Sequence, residues 1–354
     1  MGGLLLGGIL WGVLGDRRGR LSVLFGSIIT YSIANLACGF IEHVTFMNPI
    51  TFYTVMRFIA GVGLAGELGA GVTLVSELLP KDKRAIGTSL VAGVGLFGAV
   101  IAYFTVQLFS WQTAFLVGGG LGIALLLLRL GVVESGMFTS LTNQSSVRPG
   151  DFLSFFTNAN RLGRYLRCIA IGLPTWFVIG ILATFSNEFG QALGVSEAIQ
   201  PGLALMWSYV GLAMGDLSTG FLSQALASRR KAVAGLMSFT FLFTVVYLYA
   251  GVQTVTLLYG LYLILGFGIG YWALFVTVGA EQFGTNLRAT AATTIPNMVR
   301  GLVIPMTLGY QALKPWVSVL NAGALVGLVC FLLGFYAILT IPETHGKDLN
   351  YIEE

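Results

Sequence analysis

The feature that most constrains this chain is a succession of long, uninterrupted apolar segments. Eleven can be read, at 1–14, 20–40, 50–79, 85–109, 111–132, 166–190, 200–227, 231–250, 253–280, 286–313 and 316–341. All but the first reach the ~20 residues a helix needs to cross ~30 Å of hydrocarbon. Their hydrophobicity is continuous and not alternating, which argues against a β-barrel. Composition agrees, with 56% of the 354 residues apolar and only 10% charged. A soluble domain averages about 25% charged, so this chain has too little polar material to coat a water-soluble globule. The expected class is an all-α, polytopic membrane protein.

Several function classes drop out. Cys38, Cys168 and Cys330 lie far apart in apolar stretches, so they build neither a disulfide framework nor a CxxC metal site. His43 and His345 fall in or beside loops and supply no His-rich catalytic core. No nucleotide-binding P-loop is present. No enzyme, catalytic residue, metal or cofactor is therefore expected. The net charge of +4 is a matter of topology and not of nucleic-acid binding. If the loop at 15–20 is cytoplasmic and sides alternate, only Lys314 of the 19 Lys and Arg falls outside, while Arg57 and Arg300 lie within spans. That asymmetry is the positive-inside pattern, and it places the C-terminus in the cytoplasm. The start lacks the basic leader of a signal peptide. A first segment of 14 residues covers ~21 Å, too little for a span, so the chain reads as beginning within a helix.

The chain also repeats itself. Gly61 and Gly63 match Gly266 and Gly268, Glu77 and Arg84 match Glu281 and Arg288, and Gly12 to Leu14 echo Gly220 to Leu222 ahead of basic turns. Two related halves joined by a long inner loop are the mark of a transporter built from repeats. The expected layout is an N-terminal bundle over 1–132, a cytoplasmic loop over 133–165, a C-terminal bundle over 166–341 and a cytoplasmic tail over 342–354.

With these motifs on view the chain resembles the major facilitator superfamily, in its metabolite:proton symporter and sugar-porter-like branch. Gly12 to Arg20 (GVLGDRRGR) matches the signature loop between that family's second and third helices. Arg57 to Glu67, then Ser76, Glu77, Pro80 and Arg84, resemble its fourth helix and the loop after it. Trp111 to Phe115 with Glu134 and Ser135 resemble the ends of helix six, and Glu281 to Arg288 the entry to helix eleven. Pro342 to Leu349 (PETHGKDL) resembles the tail after helix twelve. The resemblance implies a two-bundle fold with eleven spans here against twelve in the family, the first helix being absent. There are departures, since Gln224 stands where Asp16 stands in the first half, and Ser228 where Arg20 does. The implied activity is secondary active transport of a small organic metabolite by a rocker switch, coupled to protons in symport, with a carboxylate as the favoured substrate. The implied setting is a bacterial-type inner membrane, with a monomer among lipids and no nucleic-acid partner. Two alternatives stand beside it: an uncoupled facilitator of a neutral sugar-like solute, and a receptor of transporter shape.

The motif residues have a physical use. Gly19 permits a tight turn, and Asp16 can pair with Arg20 and sit at a helix N-terminus. Asp16, Arg17, Gly19, Arg20, Glu77, Arg84, Glu281 and Arg288 form the expected inner gate, with Glu77 pairing Arg84 and Glu281 pairing Arg288. Charges inside spans cost at least ~2.5–3.5 kcal/mol, so they face a cavity or a partner. Arg300 is the candidate grip on an anionic substrate, because guanidinium binds carboxylate bidentately. Asn297, Trp272, Tyr271 and Trp176 are candidates to complete that site. Glu67 and Asp216 are the rival proton-coupling carboxyls.

Overall fold

The structure is a computed structural model that describes residues 1–80, 83–129 and 149–353. Among the described residues there is helix and no strand. The first half holds α1 (Gly2–Arg18), α2 (Arg20–Gly39), α3 (Pro49–Leu78), α4 (Arg84–Leu96), α5 (Gly98–Leu108) and α6 (Trp111–Leu128). The second half holds α7 (Ala159–Phe177), a π-helical stretch (Val178–Ala183), α8 (Ser186–Ala192), α9 (Pro201–Ala225) and α10 (Arg229–Tyr249). It continues with α11 (Val255–Gly268), α12 (Trp272–Glu281), α13 (Arg288–Gly301), α14 (Val303–Val317) and α15 (Val319–Thr340).

Among the described residues, 8 helical stretches are long and apolar enough to cross a membrane. This is a multi-pass integral membrane protein. The expected spans at 1–14, 200–227 and 286–313 fall short of that measure. They correspond to α1, α9 and α13 with α14, and the reason is where these helices sit. α1 and α3 pack on α13, and α4 packs on α9 and α12, so these helices form the junction between the halves. A helix that faces another protein surface can carry polar groups that lipid would not tolerate. α13 bears Arg288, Thr290, Thr293, Thr294, Asn297 and Arg300. At the other extreme, α5 buries no residue and α6 only Gly119 and Gly122, as suits helices whose solvent is hydrocarbon.

The internal repeat reappears as repeated contacts. Gly61 of α3 abuts α1 at Gly3 and Leu4, and Gly63 abuts α2 at Tyr31; Gly266 of α11 abuts α9 at Ser208, and Gly268 abuts α10 at Thr240. The same positions thus face the same neighbours in chain order. Gly12 of α1 touches Thr290 of α13, while Gly220 of α9 touches Ala85 and Ser89 of α4, so both join one half to the other. Gly19, at φ 94 and ψ 157, closes the turn from α1 to α2 in backbone that only glycine adopts without strain.

Candidate functional site

Three helices of the second half are interrupted at one depth. The path through α7 passes Pro174 and then turns π-helical at Val178; α11 ends at Gly268 before α12 restarts at Trp272; α13 ends at Gly301. These interruptions bring Trp176, Trp272 and Arg300 together. The Arg300 guanidinium lies 5.6 Å from the centroid of each indole, and the two rings meet edge-on at 6.0 Å. Its one hydrogen bond runs from Nη1 to Oδ1 of Asn297, at 3.2 Å. Among the described residues no carboxylate lies within ion-pair distance of it. The Nε1–H of Trp176 is also without an acceptor.

Arg300 and Trp272 open onto a cavity of about 510 Å³ between the halves. Its remaining wall comes from the first half, with Glu67, Leu68 and Gly71 of α3, Val91 to Leu96 of α4, and Leu125 and Arg129 about α6. Glu67 pairs with Arg129 at 3.0 Å, and the Arg129 Nη1 has no hydrogen-bond partner among the described residues. The cavity therefore carries two guanidinium groups against one carboxylate. A volume of roughly 300–1,000 Å³ is the range for small-molecule sites.

The sequence-predicted candidates divide. Arg300 and Trp272 line the cavity, and Arg300 lies over the Trp176 ring. Asn297 is adjacent but spent otherwise: its Nδ2 donates to Ala65 O of α3 (2.9 Å) and to Thr293 O (2.7 Å), so it holds Arg300 and ties α13 to α3. Tyr271 does not reach the cavity. It is fully buried in the second half and donates to Ile171 O of α7 at 3.3 Å; one residue from Trp272 along the chain turns the side chain to another face. Asp216 is also away from the lining, wholly buried in α9. Arg129 is the residue that sequence reading misses. It follows an apolar run and reads as an inner-loop charge, and no spacing ties it to Glu67.

At the basic end the gate residues interlock, only partly as their spacing suggested: Asp16 and Arg20 do meet, at 3.5 Å. Asp16 accepts the backbone N–H of Ala289 (3.0 Å) and Thr290 (2.8 Å) and the Thr290 hydroxyl (2.7 Å), capping the N-terminus of α13. Glu77 pairs with Arg20 (2.8 Å) and with Arg288 (3.0 Å), all with side chains 0% exposed. Glu281 pairs with Arg229 at 3.5 Å, and the Arg84 guanidinium donates to Lys347 O. The expected pairs Glu77–Arg84 and Glu281–Arg288 are thus replaced, because each half's arginine leans toward the other half or the tail. Arg229 fills the role that Arg20 has in the first half, offset by one residue from the Ser228 that sequence alignment puts there. Arg17 is peripheral, donating to Pro149 O at 3.3 Å. Lys81, Glu134 and Ser135, like residues 133–148 of the expected loop at 133–165, lie outside the described residues.

The tail crosses this same end. Leu349 O accepts from Thr285 Oγ1 (3.2 Å) and from Arg288, while Tyr351 O accepts the Thr285 N–H (2.8 Å). Glu353 pairs with Arg164 at 2.9 Å, and its backbone carbonyl and N–H bond to the Asn286 side-chain amide, which donates through Nδ2 (3.0 Å) and accepts at Oδ1 (2.9 Å). Burial pushes the Glu343 carboxyl up, but bonds from the Ser228 hydroxyl and from the His345, Arg229 and Arg230 backbone outweigh it and hold the group below its ordinary range.

The chain belongs to the Major Facilitator Superfamily, whose sequence pattern matches residues 1–307. It is 26% identical to the niacin transporter NiaP of Acinetobacter baylyi over 99% of this chain and 85% of that one. It is 26% identical to the gentisate transporter of Corynebacterium glutamicum over 88% of this chain and 72% of that one. In structure it is similar to the Escherichia coli fucose:proton symporter FucP, with TM-score 0.72 at 16% identity over 95% of this chain and 87% of that one. The last likeness shows the fold alone. The family consists of transporters and not enzymes.

Proposed function

We propose that this member of the Major Facilitator Superfamily carries a small organic anion across the bilayer, with the carboxylate held by Arg300. The observation that carries the reading is a guanidinium lying over two indoles that meet edge-on, without a carboxylate partner among the described residues, at a cavity of about 510 Å³ between the halves. The stacking and the Asn297 bond fix the fork in place while leaving donors for a bidentate carboxylate. The unpaired Trp176 N–H and Arg129 Nη1 supply further donors. Relatives that carry niacin and gentisate support the same chemistry, a compact ring bearing a carboxylate.

Alternating access follows from the contacts between halves. Among the described residues their hydrogen bonds run from the basic end no farther than Asn297 and Ala65. This supports a state closed at the basic end and accessible from the other. With the positive-inside pattern the closed end is cytoplasmic, the C-terminus lies there, and the membrane is the bacterial inner membrane. The transport unit is the monomer, since each chain has its own cavity. Proton symport supplies the driving force, ~2.3 kcal/mol per proton at 100 mV.

The test is uptake into proteoliposomes of nicotinate, benzoate and cis,cis-muconate, against neutral nicotinamide and fucose. Carboxylates should enter and neutral solutes should not, and Arg300→Ala should cut carboxylate uptake by about 10- to 100-fold, the worth of a charge-assisted bond at ~1.5–3 kcal/mol. Uptake of the neutral solutes, unchanged in the variant, would refute the anion reading.

A further inference from the structure

Of the two embedded carboxyls, the structure treats them unequally. Glu67 is already neutralised by Arg129 at 3.0 Å and partly open to the cavity. Asp216 is 0% exposed and has no cation. Its Oδ1 accepts the Ala273 N–H at 2.9 Å, so it caps the first turn of α12. Among the described residues its Oδ2 has no hydrogen-bond partner.

Among the described residues the surroundings offer it no counter-charge. α11 has no charged residue and adds only Tyr259 and Tyr262, the π-helical stretch has no titratable one, and α9 adds only Tyr209, two turns away. α8 brings Glu188, which is paired with Lys314. α5 adds Tyr103, α4 brings only Arg84, and α12 only Glu281. Arg84 and Glu281 lie at the basic end, engaged with Lys347 O and Arg229. The basic residues of α10, Arg229 to Lys231, are at that end too, and its Tyr247 and Tyr249 bond to Tyr262 and Asn321. Arg300 of α13 lies over the Trp272 ring.

We infer that Asp216 is the proton-binding acid of this transporter and that it acts on the anion site through the cap it places on α12. The lever is short. The backbone N–H that Asp216 holds belongs to Ala273, next in the chain to Trp272, and the Trp272 ring is one of the two that Arg300 lies over. The path from α11 to α12 is broken at 269–271, and Gly270 sits against Gly215, the residue before Asp216. A charged Asp216 accepts from the N-terminus of α12 and is favoured by its dipole. A protonated one loses that attraction and turns an O–H toward the unfilled side, so the Trp272 ring and the Arg300 fork respond to proton occupancy. A proton and an anion bound together then leave the midplane with no net charge added, the condition under which an anion can cross with the membrane potential opposing it.

This rests on the anion reading of Arg300, and the experiment separates the two. Three variants, Asp216→Asn, Glu67→Gln and Trp272→Phe, are compared with the wild-type chain in proteoliposomes for counterflow exchange of nicotinate and for accumulation driven by an inward pH gradient. Intrinsic fluorescence is titrated from pH 5 to 8 on the same preparations without substrate. Asp216→Asn should lose gradient-driven accumulation while nicotinate counterflow persists, and Glu67→Gln, whatever it does to counterflow at the cavity wall, should keep accumulation in the wild-type ratio to counterflow. The wild-type fluorescence transition should vanish in Asp216→Asn and in Trp272→Phe. Accumulation that persists in Asp216→Asn, or that falls in Glu67→Gln out of proportion to counterflow, overturns the assignment. So does a fluorescence transition unchanged in Asp216→Asn. If no carboxylate is transported by the wild type the anion reading fails, and the fluorescence arm still decides whether Asp216 takes the proton near Trp272. Should Asp216→Asn not fold, Asp216→Glu replaces it, with a shifted transition expected and an unshifted one contradicting the inference.

Discussion

Arg300 is a permanent cation in a span, at a cost of ~2.5–3.5 kcal/mol on insertion scales. Two ring faces at about 0.5–2 kcal/mol each and the Asn297 bond offset much of it without neutralising the charge. An acid partner would have done so more completely and closed the site. Arg300→Lys should therefore bind carboxylates about tenfold more weakly by equilibrium dialysis, since ammonium keeps the charge and loses both the fork and the stacking. A wild-type affinity in that variant would show that the planar geometry is immaterial. Arg300 was legible in the sequence because a charge within an apolar run must be explained. The neighbours that fix its role were not, because Trp176 and Trp272 look like any aromatic in a helix, and Arg129 declares itself only when its side chain reaches back to Glu67.

Elements meet where backbone touches backbone. A Cβ on Gly215 would collide with Phe267 O and Gly270 Cα, main-chain atoms that cannot move aside, whereas one on Gly98 would meet nothing within 4 Å. Gly215→Val should cost on the order of 1–3 kcal/mol, lower the melting temperature and impair uptake. Gly98→Ala should leave uptake unchanged and melt no lower, because alanine is the better helix former. Equal effects of the two would contradict the close packing of α9 on the break before α12. The tail follows another rule. Glu343 titrates below its ordinary value, so its anchoring contribution is complete above the unfolded carboxylate range of about 4.3 and is lost only as pH falls through the lower folded value. Hydrogen exchange at 343–345 should thus stay protected at pH 5 and rise below it; release above pH 5 would show that Glu343 is not the anchor. Span positions and the repeat could be read from hydrophobicity and glycine spacing. The interruptions at 178, 269–271 and 302 could not, because Val178, Ile269, Tyr271 and Leu302 continue the apolar runs and the single Gly270 is tolerated within a helix.

Across the whole molecule, the basic end is a lock made by both halves. Glu77 sits between Arg20 and Arg288, with Asp16 on the N-terminus of α13 and the tail laid over the seam. The lock is one-sided in its capping. Where the first half offers Asp16 to α13, the second offers Gln224, whose Nε2 is unpaired, and α4 starts without a side-chain cap. Removing one member of a buried ionic cluster typically costs about 3–5 kcal/mol. Glu77→Gln leaves two buried guanidinium groups facing each other, and should shift the protein toward the state open at the basic end. Spin-label distances across that end should lengthen and those across the opposite end shorten. Distances that do not move would mean the cluster only fixes topology. The two-half plan was legible from the repeat; the crosswise pairing was not, because spacing along one chain says nothing of which half an arginine will face.

The central claim is an anion site built on Arg300, and binding tests it without any assumption about coupling. The purified protein would be titrated with nicotinate and with nicotinamide while its intrinsic fluorescence is followed, beside Arg300→Ala. The two ligands share a ring and differ in charge. Saturable quenching by nicotinate that is absent with nicotinamide, and lost in the variant, is the expected result. Equal quenching by both ligands, or binding of nicotinate undiminished in Arg300→Ala, would contradict the claim.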